Sequence, residues 1–270
     1  MKDYVDRLGM AGIDNPMRDV RLMLAAILGT THEEILFNPP QTLTPEQHNK
    51  FEAWVDRRCR QEPLAKILGK KEFWGRDFKV TKDTLDPRPD SETLIEVVLN
   101  LMPLGQSARI LDLGTGSGCL ILTLLAERPN WTGVAVDFSP PALTIAQENA
   151  QSLHVSDRVV FVHSDWFQAV DGIFDLIIAN PPYIARDEVL PPETLYDPDS
   201  ALFADDGGLA DYRKILSCAA EFLTFQGLIL FEIGCHQAKS VTEIATTLGF
   251  NLVSLHKDLA GRDRCLVFMK

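Results

Sequence analysis

From Ala108 onward, short apolar runs alternate with longer segments of helical period, and this alternation restricts the fold more than any other feature of the chain. The runs are RILDLG (109–114), GVAVDF (133–138), VVFVHS (159–164), FDLIIAN (174–180), GLILFEI (227–233), NLVSLHKD (251–258) and RCLVFM (264–269). Helical spacing fits CLILTLLAER (119–128), PALTIAQENAQSL (141–153), GLADYRKILSCAAEFL (208–223) and HQAKSVTEIATTLG (236–249). Apolar strands separated by helices indicate parallel pairing, with the sheet covered on both faces. Only the five residues from Leu259 to Asp263 separate the last two runs, so these pair as an antiparallel hairpin. The expectation is an α/β domain with a doubly wound, mostly parallel sheet of seven strands.

The first 60 or so residues read as short helices instead. In PMRDVRLMLAAILG (16–29), Val20, Met23, Leu24, Ile27 and Leu28 share a helical face and Gly29 ends it. Thr31-His32-Glu33-Glu34 and Thr44-Pro45-Glu46-Gln47 read as capping boxes, the second with proline at the first helical position. The helix that follows runs through FEAWVDRRCR (51–60) and stops before Pro63. KEFWGRDFKV (71–80) predicts two short strands joined at Gly75-Arg76. LDPRPDSE (85–92) is a proline-stiffened linker into a helix at 93–102. The expected organisation is a small N-terminal helical docking domain at 1–70, a linking β-hairpin and linker at 71–90, and the α/β domain at 91–270.

Composition narrows the function. No run reaches the roughly 18 apolar residues of a membrane helix, and MKDYVDRLGMAGI lacks the apolar core of a secretory signal. Cys59, Cys119, Cys218, Cys235 and Cys265 are scattered, odd in number and without a CxxC, which favours reduced thiols in the cytoplasm over disulfides or a zinc site. The net charge of −12 is uneven: residues 1–85 hold 14 basic and 13 acidic side chains, the remainder 12 and 25. Such an acidic body repels a phosphate backbone, so no direct nucleic-acid substrate and no membrane partner is expected. One stretch opposes this: Arg57 to Lys82 carries nine basic residues against three acids. It reads either as a solvated helix face and hairpin, or as a docking patch for a partner carrying RNA or acid.

ILDLGTGSGC (110–119) passes from strand through a glycine turn into a helix. Gly114, Thr115, Gly116, Ser117 and Gly118 would offer a ligand bare backbone and unpaired N–H groups at a helix start. A dinucleotide fingerprint would need glycine at 119, where this chain has Cys119. Asp137 closes the second strand, 23 residues after Gly114, and can accept from two ribose hydroxyls or cap the next helix. Together with Asp112 these residues look like the S-adenosylmethionine site of class I methyltransferases, with a dinucleotide site as the alternative. Asp165 follows the third strand at the same sheet edge, where it could accept from an adenine amino group while Trp166 or Phe167 covers a ring face.

Asn180-Pro181-Pro182-Tyr183 ends the fourth strand. Two prolines cannot continue a sheet, and each restricts the residue before it. A planar NH₂ group is a poor nucleophile because its lone pair is delocalised; in an amide this creates a rotation barrier of about 18–20 kcal/mol. Two acceptors on its N–H bonds would hold the lone pair toward an electrophilic methyl carbon. The Asn180 side-chain oxygen is one and the Pro181 carbonyl, stiffened by Pro182, is the other. Tyr183 can stack on the planar group. The corner alone reads as a strand-ending turn or as a site for any planar NH₂: adenine, cytosine, guanine or a glutamine side chain.

Nearly end to end, the sequence resembles the protein-(glutamine-N5) methyltransferases of peptide chain release factors, the HemK/PrmC family. The resemblance rests on EPLAKILGKKEFWGRDFKV, PRPDSETL, ILDLGTGSGCL, SDWF, NPPYI, GGLADYRKIL, FEIGCHQ and GRDRCLVF. It implies a Rossmann-like class I methyltransferase domain that methylates the glutamine of a Gly-Gly-Gln loop, with the small helical domain gripping the release factor. It further implies that Gly114 to Gly118, Asp137 and Trp166 bind S-adenosylmethionine. Asn180 would touch cofactor and substrate, Pro181, Pro182 and Tyr183 would shape the glutamine slot, and Pro87, Arg88 and Pro89 would line the cofactor entrance. Arg88 has a second reading, as a linker arginine in a surface salt bridge. Asp86 and Asp197 depart from the family's usual aliphatic residue and glutamate. The acidic, proline-bearing loop after Ile184 has the profile of a lid or binding loop. The competing function is a DNA or RNA amino-methyltransferase using the same corner.

Overall fold

The computed structural model describes residues 1–40 and 42–270. The chain forms two compact units, Met1–Lys70 with Leu190–Tyr196, and Lys71–Val189 with Asp197–Lys270. In the first unit, α1 (Lys2–Met10), α2 (Pro16–Leu28), α3 (His32–Phe37), α4 (Pro45–Cys59) and α5 (Leu64–Leu68) close over Leu8, Val20, Met23, Phe51 and Val55. The second capping box is complete: Gln47 N donates to Thr44 Oγ1 and Thr44 N to Gln47 Oε1. The first is only half made. Glu34 N donates to Thr31 Oγ1, but the Glu34 carboxylate accepts from Asn38 Nδ2 at the other end of the helix.

The second unit opens on a hairpin, β1 (Lys70–Phe73) and β2 (Arg76–Lys79). Its turn is Trp74-Gly75, one residue earlier than expected. Both residues have positive φ, 52° and 69°, the backbone that lets a two-residue turn follow strand twist; tryptophan is a poor advertisement for that conformation. After the linker come α6 (Glu92–Leu101), β3 (Arg109–Leu113), α7 (Cys119–Glu127), β4 (Thr132–Asp137), α8 (Pro140–Ser152), β5 (Val159–His163) and β6 (Phe174–Ala179). The long loop then contains β7 (Ile184–Ala185), α9 (Asp199–Leu202), β8 (Phe203–Ala204) and α10 (Asp205–Gly208). The chain ends in α11 (Ala210–Phe222), β9 (Leu223–Glu232), α12 (Ala238–Thr247), β10 (Asn251–Lys257) and β11 (Asp263–Met269).

The main sheet has seven strands in the order β10-β11-β9-β6-β3-β4-β5. β9, β6, β3, β4 and β5 are parallel neighbours, and β11 runs antiparallel between β9 and β10. Side chains alternate faces with period two. Ile110, Leu176, Ile178 and Leu230 join one core with α6 and α7; Leu111, Ile177, Ile229 and Phe231 join the other with α11 and α12. This is the doubly wound architecture expected. Order reverses at β3, between β4 and β6, so a ligand crevice opens at the carboxyl ends of these strands.

Candidate active site

Gly114 to Gly118 bridge the end of β3 and the start of α7 through three positive-φ glycines. The third fixes the turn: a Cβ at Gly118 would sit 2.7 Å from Leu122 Cδ1. Four of the five amides expected to be unpaired carry partners. Gly114 N and Thr115 N both donate to Val136 O, Gly118 N to Thr115 O, and Gly116 N to Asp137 Oδ2 at 2.8 Å. A pyrophosphate would find those donors used and a carboxylate in its way, since helix-start phosphate binding needs free N–H groups.

Asp137 ties the glycine turn to the start of the next helix, whose N-cap is Ser139. Oδ2 holds the glycine turn, while Oδ1 accepts from Ser139 N at the start of α8. Burial raises its pKa. A carboxylate has roughly four acceptor sites, so capacity remains for a ligand. Asp112 lies beneath, 1% exposed, accepting from Thr115 Oγ1 at 2.6 Å. Burial pushes its pKa up to about 7. The folded state therefore keeps this proton longer than the unfolded chain, and the group lowers stability as pH rises from 3.8 to about 7. Asp112→Asn is expected to remove that fall. Urea unfolding at about pH 5 and about pH 8 checks it; an unchanged difference between the two would count against a titrating Asp112.

A cavity of about 420 Å³ opens over the turn. Gly114, Gly116, Asp137, Asp165, Trp166, Asn180 and Pro182 all line it. The Trp166 ring packs over Gly114, where an added Cβ would stand 3.5 Å from Cζ3. Phe167 instead stacks on Phe222 in the core, centroids 4.5 Å apart. Thr115, Ser117 and Gly118 stand behind the wall. Pro181 is buried, and Tyr183 turns its hydroxyl to Glu232, so neither is part of this lining.

The expected lining by Pro87, Arg88 and Pro89 is not found. Lys82 to Leu85 line the cavity instead. Arg88 Nη2 donates to Asp197 Oδ2 at 2.5 Å, and Asp86 N donates to Asp197 Oδ1 at 3.2 Å. The two positions that depart from the family pattern thus meet each other. The basic stretch is largely balanced within each unit: Arg57 faces Glu62, Arg58 faces Asp19 and Glu193, Arg76 faces Glu127, Lys79 faces Glu148 and Lys82 faces Asp83. In the loop, Asp205 and Asp206 face Arg186 and Arg213.

Residues 1–69 match the PrmC N-terminal domain, and residues 83–192 the methyltransferase small domain. Over 267 residues the chain is 45% identical to the release factor glutamine methyltransferase of Cereibacter sphaeroides, covering 98% of this chain and 95% of that one. The chain belongs to the release factor glutamine methyltransferase family. Its counterpart in Rhodospirillum rubrum is 41% identical, covering 97% of this chain and 81% of that one. A methyltransferase from Pyrococcus furiosus superposes with a TM-score of 0.56 at 18% identity, covering 84% and 99% of the two chains. That likeness is one of fold.

Several residues at this cavity carry no plain sequence signal. Phe138, 69% exposed, joins the cavity beside Asp137, and Asp211 and Lys214 reach it from α11. Asn149 supports it from below. On the apolar face of α8, its Oδ1 accepts from Lys79 N at 2.7 Å and its Nδ2 donates to Lys79 O and Ser117 O. One amide thus ties the hairpin to the glycine turn. Its only trace in the sequence is a polar residue interrupting the stripe Ala142, Ile145, Ala146. Asn149→Leu leaves these backbone groups unpaired and is expected to cost about 1–3 kcal/mol, read as a lower urea midpoint at unchanged slope.

Proposed function

We propose that this chain transfers a methyl group from S-adenosylmethionine to the side-chain amide nitrogen, N5, of the glutamine in the Gly-Gly-Gln motif of peptide chain release factors, leaving S-adenosylhomocysteine. Membership of a family named for that activity supports the reaction. The observation that carries the site assignment is that Asn180 and Pro182 share a cavity with Gly114, Gly116 and Asp137. The cavity suits the cofactor: open glycine backbone, a carboxylate with acceptor capacity, the Phe138 and Trp166 rings, and no free amide donors for a pyrophosphate among Gly114, Thr115, Gly116 and Gly118.

The cofactor supplies an electrophilic methyl carbon on a sulfonium. Asp137 would accept from its ribose, Gly114 and Gly116 would lie along it with Thr115, Ser117 and Gly118 supporting the turn from behind, and Asp165 and Trp166 would flank its base. Arg88 serves the site indirectly, by holding Asp197. Asn180 Oδ1 and the Pro181 carbonyl accept the two N–H bonds of the glutamine amide, turning its lone pair toward the methyl group. Pro182 restricts the Pro181 backbone, so the second acceptor is fixed before substrate arrives. No strong base is needed, because the methylated nitrogen is cationic and sheds its proton readily. Orientation supplies the acceleration, a source worth up to roughly 7–11 kcal/mol.

The release factor is the partner, with residues 1–70 as its docking domain, and the reaction belongs in the cytoplasm, where the five thiols stay reduced. Among the described residues no helix is long and apolar enough to cross a membrane. Incubating the protein with methyl-labelled S-adenosylmethionine and either a purified release factor or nucleic acid tests the reading. Label is expected in the release factor; label in nucleic acid alone would overturn it in favour of amino-methylation of bases.

A further inference from the structure

Three motifs of the resemblance, GGLADY, FEIGCHQ and GRDR, have no part in the chemistry above. In the structure they converge behind Tyr183. Gln237 Nε2 donates to the Tyr183 carbonyl oxygen at 2.9 Å, and Gln237 Oε1 accepts from Gly234 N at 3.0 Å. Both ends of this amide are committed, so the side chain cannot turn away without losing a bond. Gly208, at φ +86°, brings its backbone against the same carbonyl; a Cβ there would collide with the Tyr183 oxygen and stand 2.8 Å from Gln237 Nε2. Only glycine leaves room for that contact.

The other end of Tyr183 is held as well. Its hydroxyl reaches Glu232 Oε1 at 3.4 Å, and Glu232 is 1% exposed at the end of β9. In the sheet, Ala179 of β6 pairs with Phe231 of β9, so Glu232 lies beside the strand end that carries Asn180. Arg264 backs this corner. It donates to Ile233 O and to Asp258, and pairs with Asp90 of the linker. Tyr183 is thus gripped at its carbonyl and at its phenol by residues that do not line the cavity.

We infer that Gln237 and Glu232 are positioning residues for methyl transfer: by holding Tyr183 at both ends they fix the backbone of Asn180, Pro181 and Pro182 against which the carboxamide is aligned. This rests on the reaction proposed above. A displacement near 1 Å of an aligning group can cost about a hundredfold in rate, so loosening the corner acts on turnover rather than on cofactor affinity. Gln237→Met keeps length and loses both hydrogen bonds. Its expected effect is a 10- to 100-fold fall in kcat, with the cofactor Kd and the release factor KM within about threefold of wild type. For the second grip, Glu232→Leu and Tyr183→Phe are combined: because each removes the same contact, the double variant should lose little more than the worse single one.

Methyl transfer to a release factor is measured for all variants beside the wild type, with cofactor affinity by calorimetry and unfolding midpoints as fold controls. A wild-type kcat in Gln237→Met, a fall in kcat matched by an equal loss of cofactor affinity, or additive losses at Glu232 and Tyr183 would each overturn the inference. A wild-type protein that leaves the glutamine unmethylated would overturn the reaction itself, a result separable from the others because it precedes any variant.

Discussion

Asn180→Ala is expected to lower kcat for methyl transfer by about 10²–10³-fold while the cofactor Kd rises less than about tenfold. Asn180 closes β6 on the cavity wall, one strand over from the glycine turn. Its side-chain oxygen supplies one of two acceptors; the Pro181 carbonyl supplies the other and survives the substitution. With a single acceptor the glutamine amide rotates and its lone pair is no longer aimed, so a reactive geometry becomes a rare one. The magnitude matches the loss of one preorganised hydrogen-bonding group in other enzymes. Cofactor binding draws on the turn and on Asp137, which Asn180 does not hold. Single-turnover rates with a release factor at saturating S-adenosylmethionine, beside calorimetric Kd values, separate the two effects. Equal losses in both would mean that Asn180 binds rather than aligns.

Asp137→Ala has the opposite signature, with the cofactor Kd weakened by about 10–100-fold and kcat at saturating cofactor little changed. Hydrogen bonds to a charged group contribute about 1.5–3 kcal/mol. Here the carboxylate also accepts from Gly116 N and Ser139 N, so its removal loosens the turn that the ligand lies along. Acidification should act in the same direction. Burial raises the pKa of Asp137, the accepting form is the ionised one, and affinity therefore falls as pH drops through that raised value. Titrating affinity against pH in the wild type checks the sign; an affinity that rose on acidification would exclude Asp137 as the ribose acceptor.

The parts of the fold that were legible in the sequence are those set by local periodicity. Seven apolar runs became seven strands; in β3, β4, β6 and β11 burial on both faces leaves no polar alternation to confuse the reading, and the short link from Leu259 to Asp263 left the last two no choice but to pair. Thr44 to Gln47 capped its helix as written. The misreadings have tertiary causes. Trp74 adopts positive φ because the hairpin needs it, which no propensity suggests. The amides of Gly114, Thr115 and Gly116 are satisfied by Val136 and Asp137 from the neighbouring strand, contacts invisible along the chain. Arg88 reads as a cavity residue until Asp197, more than a hundred residues away, claims its guanidinium. Asn149 bonds the backbone of Lys79 and Ser117, and Gln237 reaches the Tyr183 carbonyl, groups remote in sequence that nothing along the chain announces.

A crystal structure of the protein with S-adenosylhomocysteine and a Gly-Gly-Gln peptide tests the acceptor pair most directly. The account predicts both N–H bonds of the peptide's glutamine within hydrogen-bond distance, about 2.7–3.2 Å, of Asn180 Oδ1 and Pro181 O, with the amide nitrogen facing the sulfur. A glutamine bound elsewhere, or an Asn180 side chain rotated away from a filled cofactor cavity, would contradict it.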